Sequence, residues 1–366
     1  MVEIILDNII HFLEEKNPPS YAENWDNVGL QIGDRNKIIK KIFVALDATD
    51  EIIEEAVING ADLIITHHPL LFKSLKNVNT DNFIGRRIIK CIENNISLYS
   101  MHTNYDICNM ARLSGEYLKL KNMRVLDTTF HEKVYKIAVY VPEEYAGAVS
   151  ETMCNAGAGK MGEYSHCTFR STGIGSFKPR KGTHPFIGEI DKLEHVKEIK
   201  VETIVPERQL KEVRSALLLA HPYEEPAYDI FELLYDGGEE GIGRIGDLPE
   251  EMSVRELAEY VKKQFSLHTV QVFGDLGRQV ERVAISPGSG KSLIEPAIKK
   301  SAQVLITGDV GYNDGIDAVA RNLSIIDAGH YGLEHIFINH MKEVLRSEFE
   351  QIPVMTEVIR QPVQTL

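Results

Sequence analysis

The sequence predicts an α/β fold in which two related α/β halves form one domain, interrupted by an inserted α+β domain of ferredoxin-like order. Three observations predict it: a long internal repeat links the two ends of the chain, the segment between them has a different element pattern, and the strands of both halves open onto histidine and carboxylate residues. The expected divisions are 1–128 for the first half, 129–246 for the insertion and 247–366 for the second half. A length of 366 residues with 43% hydrophobic content suits two or three packed units.

In the first half, Val44-Ala45-Leu46 reads as a strand, a helical stretch runs through Glu55-Ala56, and Ala61 to Thr66 reads as the next strand. Leu63-Ile64-Ile65 is continuously apolar, as a parallel strand buried on both faces should be, and the run ends in His67, His68 and Pro69. Ligands of open α/β sheets bind beyond the carboxyl ends of the strands, so two imidazoles there read as a metal grip. A further strand around Asn95-Ile96-Ser97-Leu98 runs on into His102 and Asp106.

The insertion reads as strand (Tyr135 to Val141), helix (Glu143 to Ala156), a hairpin-like stretch (Tyr164 to Ser171), strand (Ile199 to Val205), helix (Glu207 to Leu219) and strand (Tyr228 to Leu234). That βαββαβ order is the split βαβ arrangement. Glycine-rich stretches, Gly173 to Gly182 and Gly237 to Gly246, read as its connections. His221-Pro222-Tyr223-Glu224-Glu225-Pro226 is conspicuous, but prolines at both ends favour a turn over a ligand set.

The second half repeats the first. Val283-Ala284-Ile285, a helical stretch through Pro296-Ala297, the strand Ala302 to Thr307 and the strand Asn322 to Ile325 follow in the same order. Asp327-Ala328-Gly329 then leads to His330 and Glu334, four residues apart, which a helix stacks on one face. His67, His68 and Asp106 from one half, with His330 and Glu334 from the other, make the expected metal ligands. Imidazole and carboxylate donors suit zinc, iron, manganese or cobalt, and the lack of thiolates argues against a closed structural zinc. The ligands exceed the need of one tetrahedral ion, so two divalent ions per subunit are expected, zinc foremost. Glu334 is the expected carboxylate bridge, and His102 the expected orienter or proton shuttle. Such a site suits metal-assisted hydrolysis.

Composition narrows the setting. Cys91, Cys108, Cys154 and Cys167 form no C-x-x-C pair and no secreted framework. The N-terminus has no signal-peptide pattern and no apolar run is long enough to span a bilayer, so a cytoplasmic setting is expected. A net charge of −14 argues against non-specific nucleic-acid binding. A small phosphorylated substrate stays open, with Lys73, Arg86, Arg87 and Lys291 as candidate cations, although each reads more simply as a solvated charge. Pro287-Gly288-Ser289-Gly290-Lys291-Ser292 looks like a phosphate loop, but Ile285 stands where the first glycine belongs.

Glu23-Asn24-Trp25-Asp26-Asn27-Val28-Gly29-Leu30, Thr66 to Leu70, Met101 to Asp106, and Thr307-Gly308-Asp309 with His330 and Glu334 closely resemble the Nif-three-like family. That family is also labelled the GTP cyclohydrolase 1 type 2 homologs, and the resemblance covers essentially the whole chain. It implies an inserted domain similar to the PII and CutA folds, a dinuclear site on His67, His68, Asp106, His330 and Glu334, and assembly as a hexameric ring. It also implies a metal-dependent hydrolase that opens the guanine ring of GTP. A hydrolase of another nucleotide or phosphoester, a metal-delivery protein and an interaction scaffold are the alternatives. Two departures stand out: Asp106 leads directly to Ile107-Cys108-Asn109-Met110 where a longer turn is usual, and Asn313 stands where a histidine is frequent.

Overall fold

The computed structural model describes residues 3–234 and 237–364, so the outermost residues of the expected first and second halves lie outside the described residues. The chain is mixed α/β and divides into two compact units, Met1–Phe130 with Glu240–Leu366, and His131–Glu239.

The first unit holds two sheets. One is ordered Gly29–Ile32, Ser97–Ser100, Leu63–Thr66, Ile42–Ala45, Val354–Thr356, parallel except for its first strand. The other is ordered Gln271–Phe273, Ser324–Asp327, Val304–Gly308, Gln279–Ser289, Glu239–Ser253, Lys121–His131. Its second to fourth strands are parallel, and again an antiparallel strand closes the edge. Side chains alternate across each strand. Val44, Ile65, Ile285 and Ile306 therefore share one core with the helices Leu6–Lys16, Val254–Gln264 and Ile336–Glu348. Phe43 and Ile64 turn the other way onto Ile53, Ala56 and Ile88, and Ala284 and Leu305 onto Ala297 and Ala318. Each sheet is thus buried on both faces, which explains the unbroken apolar runs.

Two details of the sequence reading change. Leu63 pairs with Ile42 and Val304 with Val283, so the repeat aligns Ile42, not Val44, with Val283. Gly241, Gly243 and Gly246 form no linker: they lie in Glu239–Ser253, which pairs Arg244 with Ile285. A Cβ at Gly241 would overlap the Asp127 carbonyl oxygen, so glycine here permits close approach of two backbones.

In the second unit, the sheet order is Thr168–Phe177, Glu194–Pro206, Val134–Pro142, Tyr228–Leu233, antiparallel throughout. Helices Ala146–Asn155 and Leu210–Ala220 cover it through Val149, Met153, Val213 and Leu217. Gly173 and Gly175 belong to the Thr168–Phe177 strand and not to a connection. His221 is structural, its Nε2 donating to the Tyr140 carbonyl (2.9 Å) and its Nδ1 accepting from Tyr223 N (3.0 Å). Among the described residues no helix is long and apolar enough to cross a membrane.

Candidate metal centre

Strand ends and the turns after them build the site. Leu63–Thr66 delivers His67 and His68, with the Thr66 hydroxyl donating to the His68 carbonyl (2.8 Å). After Ser97–Ser100 the backbone enters the short helix Thr103–Tyr105, and Asp106 N donates to the His102 carbonyl (2.9 Å). A π-turn, Asp106–Met110, follows. Such turns occur mostly inside helices at functional sites. After Ser324–Asp327, Gly329 at φ +75° turns the chain into the helix His330–Glu334. Asp327 braces that turn, accepting from Gly329 N (2.9 Å) and Val310 N (2.8 Å).

Four imidazoles face the centre in the same way. His67 Nδ1 donates to the Met101 carbonyl (2.9 Å), His68 Nδ1 to Asp47 (2.9 Å), His102 Nδ1 to Asp26 (2.9 Å) and His330 Nδ1 to Asp309 (2.7 Å). Each Nε2 is left for the interior, the arrangement by which carboxylates and carbonyls orient metal-binding histidines. His67 Nε2 lies 3.3 Å from Asp106 Oδ1 and 3.8 Å from Glu334 Oε1. Glu334 Oε2 lies 3.2 Å from His68 Nε2 and 3.0 Å from His330 Nε2.

Three overlapping groups converge closely enough to hold an ion: His67, His68, His102; His68, His330, Glu334; and His67, Asp106, Glu334. All five expected ligands are brought together, and His102 joins them. His67 Nε2, Asp106 Oδ1 and Glu334 Oε2 are buried without a hydrogen-bond partner. Buried polar atoms are rarely left so, and three donors aimed at one region fit a divalent cation.

The electrostatics agree. Burial opposes charge on Glu334, yet the His330 and His68 imidazoles hold it well below the usual carboxylate range. Burial pulls His68 down, but Asp47 and Glu334 raise it to about 10. Glu334 and, against burial, Asp309 raise His330 to about 9. Burial raises Asp26, but His102 and Thr103 bring it to about 2. Carboxylates thus gather positive charge at this point, which protons supply on the imidazoles and a divalent ion would supply in their place.

Asp26, Asp47, Asp309 and Gly288 went unassigned in the sequence. Asp26 and Asp309 lie inside motifs quoted above, and Asp47 follows a strand end, as the histidines do. Gly288, at φ +76° in the phosphate-loop look-alike, lines the centre: a Cβ there would sit 2.7 Å from Glu334 Oε1. Lys291 instead pairs with Asp314 (3.1 Å) and Arg87 with Asp50 (3.1 Å). Asn313 is exposed on the helix Tyr312–Ala320.

Two cavities adjoin the centre. A 1470 Å³ cavity is lined by His68, His330, Asp47, Asp309 and Tyr331. A 680 Å³ cavity is lined by Trp25, Asn27, Gln31, Phe72 and Lys73. Trp25 is 57% exposed, with its ring 5.7 Å from Phe72 and 5.8 Å, edge-on, from His102.

Comparison with known proteins bears on this centre. The profile of the Duf34/NIF3 (NGG1p interacting factor 3) family matches residues 4–365. A protein of Halalkalibacterium halodurans named "GTP cyclohydrolase 1 type 2 homolog" is 42% identical over 98% of this chain and 96% of its own. One of the same name from Bacillus subtilis is 44% identical over 88% of this chain and 87% of its own. The crystal structure of a Bacillus cereus protein related to NIF3 superposes with a TM-score of 0.92 at 36% identity, covering 100% of both chains.

Proposed function

The chain belongs to the Duf34/NIF3 family, and from that membership we propose that it is a dinuclear divalent-metal hydrolase acting on a purine nucleotide. The observation that carries this is the sharing of Glu334 between two ligand groups, one with His68 and His330, the other with His67 and Asp106. On this reading those groups hold one ion each, zinc being favoured by the nitrogen and carboxylate donors. Bound there, divalent ions supply Lewis acidity and lower the pKa of water to about 7. Asp47, Asp309 and Asp26 fix the imidazole orientations. His102, held at Nδ1 by Asp26 and close to His67 and His68, is placed to hold or pass a proton at Nε2. The 1470 Å³ cavity beside His68 and His330 admits a nucleotide.

The name carried by the relatives makes GTP the first substrate to test, with opening of the guanine imidazole ring as the reaction. The second unit is proposed as a PII- and CutA-like insertion, supported by its βαββαβ order and antiparallel sheet. A hexameric ring belongs to the same proposal and is supported by family membership alone.

The test loads the protein in turn with zinc, manganese and iron, adds GTP and follows the fluorescence of the oxidised pterin product. Turnover that disappears in His330→Ala/Glu334→Ala is expected. No turnover with any metal would reject the cyclohydrolase reaction and favour metal delivery or another phosphoester.

A further inference from the structure

Within the unit His131–Glu239, a 720 Å³ cavity is floored by a carboxylate with too few partners. Glu198 is 8% exposed. The Tyr223 hydroxyl donates to its Oε1 at 3.0 Å, and among the described residues no cation is paired with it. Of the neighbouring lysines, Lys197 pairs with Glu143 (2.7 Å), and Lys200, which also lines the cavity, pairs with Glu202 (3.2 Å). An ionised carboxylate has room for about four donors, and with one supplied by Tyr223 the remaining acceptor capacity is open to the cavity. The facing strand makes space for the group: a Cβ at Gly175 would overlap Glu198 Oε2.

The walls above this floor are aromatic. Phe177 and Phe186 stand 5.8 and 6.3 Å from the Tyr223 ring, and Tyr140 also lines the cavity. Lys178 and Arg180 are exposed at the cavity's edge. A buried carboxylate behind aromatic faces selects flat bodies that carry N–H donors. The rings stack on the flat face and attract its positive charge, while two parallel N–H groups satisfy both carboxylate oxygens. A plain ammonium has no flat face to stack.

We infer that this cavity is a binding site for a planar N–C–N donor edge, as presented by a guanidinium group or by the Watson–Crick edge of guanine. It shares no residue with the metal centre and does not rest on the hydrolase reading.

Isothermal titration of the full chain with agmatine and with guanosine tests it, adenosine and butylamine serving as controls. Saturable binding of agmatine or guanosine is expected, weakened at least about tenfold by Glu198→Gln, which keeps the shape but removes the charge. Phe186→Leu, at a half-exposed ring, is expected to weaken it as well. His330→Ala/Glu334→Ala is expected to bind as the wild type does. Agmatine alone binding identifies guanidinium compounds as the ligand class; guanosine alone identifies guanine nucleotides. Absence of binding by both probes overturns the site, as does unchanged binding in Glu198→Gln, equal binding of the controls, or loss of binding in the metal-centre variant.

Discussion

The two sheets of the first unit share a frame and differ at its rim. Four parallel strands in one and three in the other run beside an antiparallel edge strand, Gly29–Ile32 in the first and Gln271–Phe273 in the second. Gly33 (φ +132°) and Gly274 (φ +128°) leave those edges at the same point, each against a serine, Ser97 or Ser324. Past Thr66 and Thr307 the likeness ends. Thr66 is followed by His67 and His68, whereas Thr307 is followed by Gly308 and Asp309. Both halves then use a pair spaced four residues apart, His102 with Asp106 and His330 with Glu334. The register aligns Met101 with Ala328, through backbone bonds to Thr66 and Thr307, so the second pair sits one residue later. Packing on both faces constrains the strands. Residues beyond the ladder carry no such constraint, and the chemistry diverges there.

Breaking the rim tests the division of ligands most severely. On the two-ion reading, Asp106→Ala removes a ligand of one group and His330→Ala a ligand of the other, so metal content by mass spectrometry is expected to fall from two ions to one in each. Glu334→Ala, which touches both groups, is expected to abolish binding; any variant that keeps full content would refute the shared carboxylate. The frame is tested by Gly33→Ala and Gly274→Ala. Both force a side chain into a left-handed backbone position and against a serine, at a cost of about 1–3 kcal/mol each in urea melts. Clearly unequal costs would end the equivalence of the two edges.

A smaller effect belongs to the first sheet, which the strand Val354–Thr356 completes beside Ile42–Ala45. Glu357 follows it and accepts from Leu46 N (3.1 Å). Burial, with Asp47 adding repulsion, raises its pKa from 4.5 to about 7. A raised folded-state pKa means that folding favours the protonated acid. Its contribution is therefore complete below about pH 4.5 and lost as pH rises through 7. Glu357→Gln is expected to flatten this part of the profile in thermal melts between pH 4.5 and 8; an unchanged slope would remove Glu357 as its source.

His67, His68, His330 and Glu334 were legible because each breaks a local pattern: imidazoles ending an apolar strand, or a pair at helical spacing. Asp26 and Asp47 were not, because their meaning lies in partners 76 and 21 residues away. The glycines of 241–246 misled for a physical reason. Glycine marks turns in most sequences, but it also lets backbones approach inside a sheet, and local sequence does not distinguish the two. Strand identity was readable from apolar runs. Exact register was not, since Ile42, Phe43, Val44 and Ala45 are all buried and any of them fits the same pattern.

Trp25 is the single tryptophan of the chain, and it meets the edge of the His102 ring. Indole emission is quenched by a nearby imidazolium and shifts with solvent contact. The protein therefore carries a built-in optical probe beside His102, one that would report an ion bound there without any attached dye.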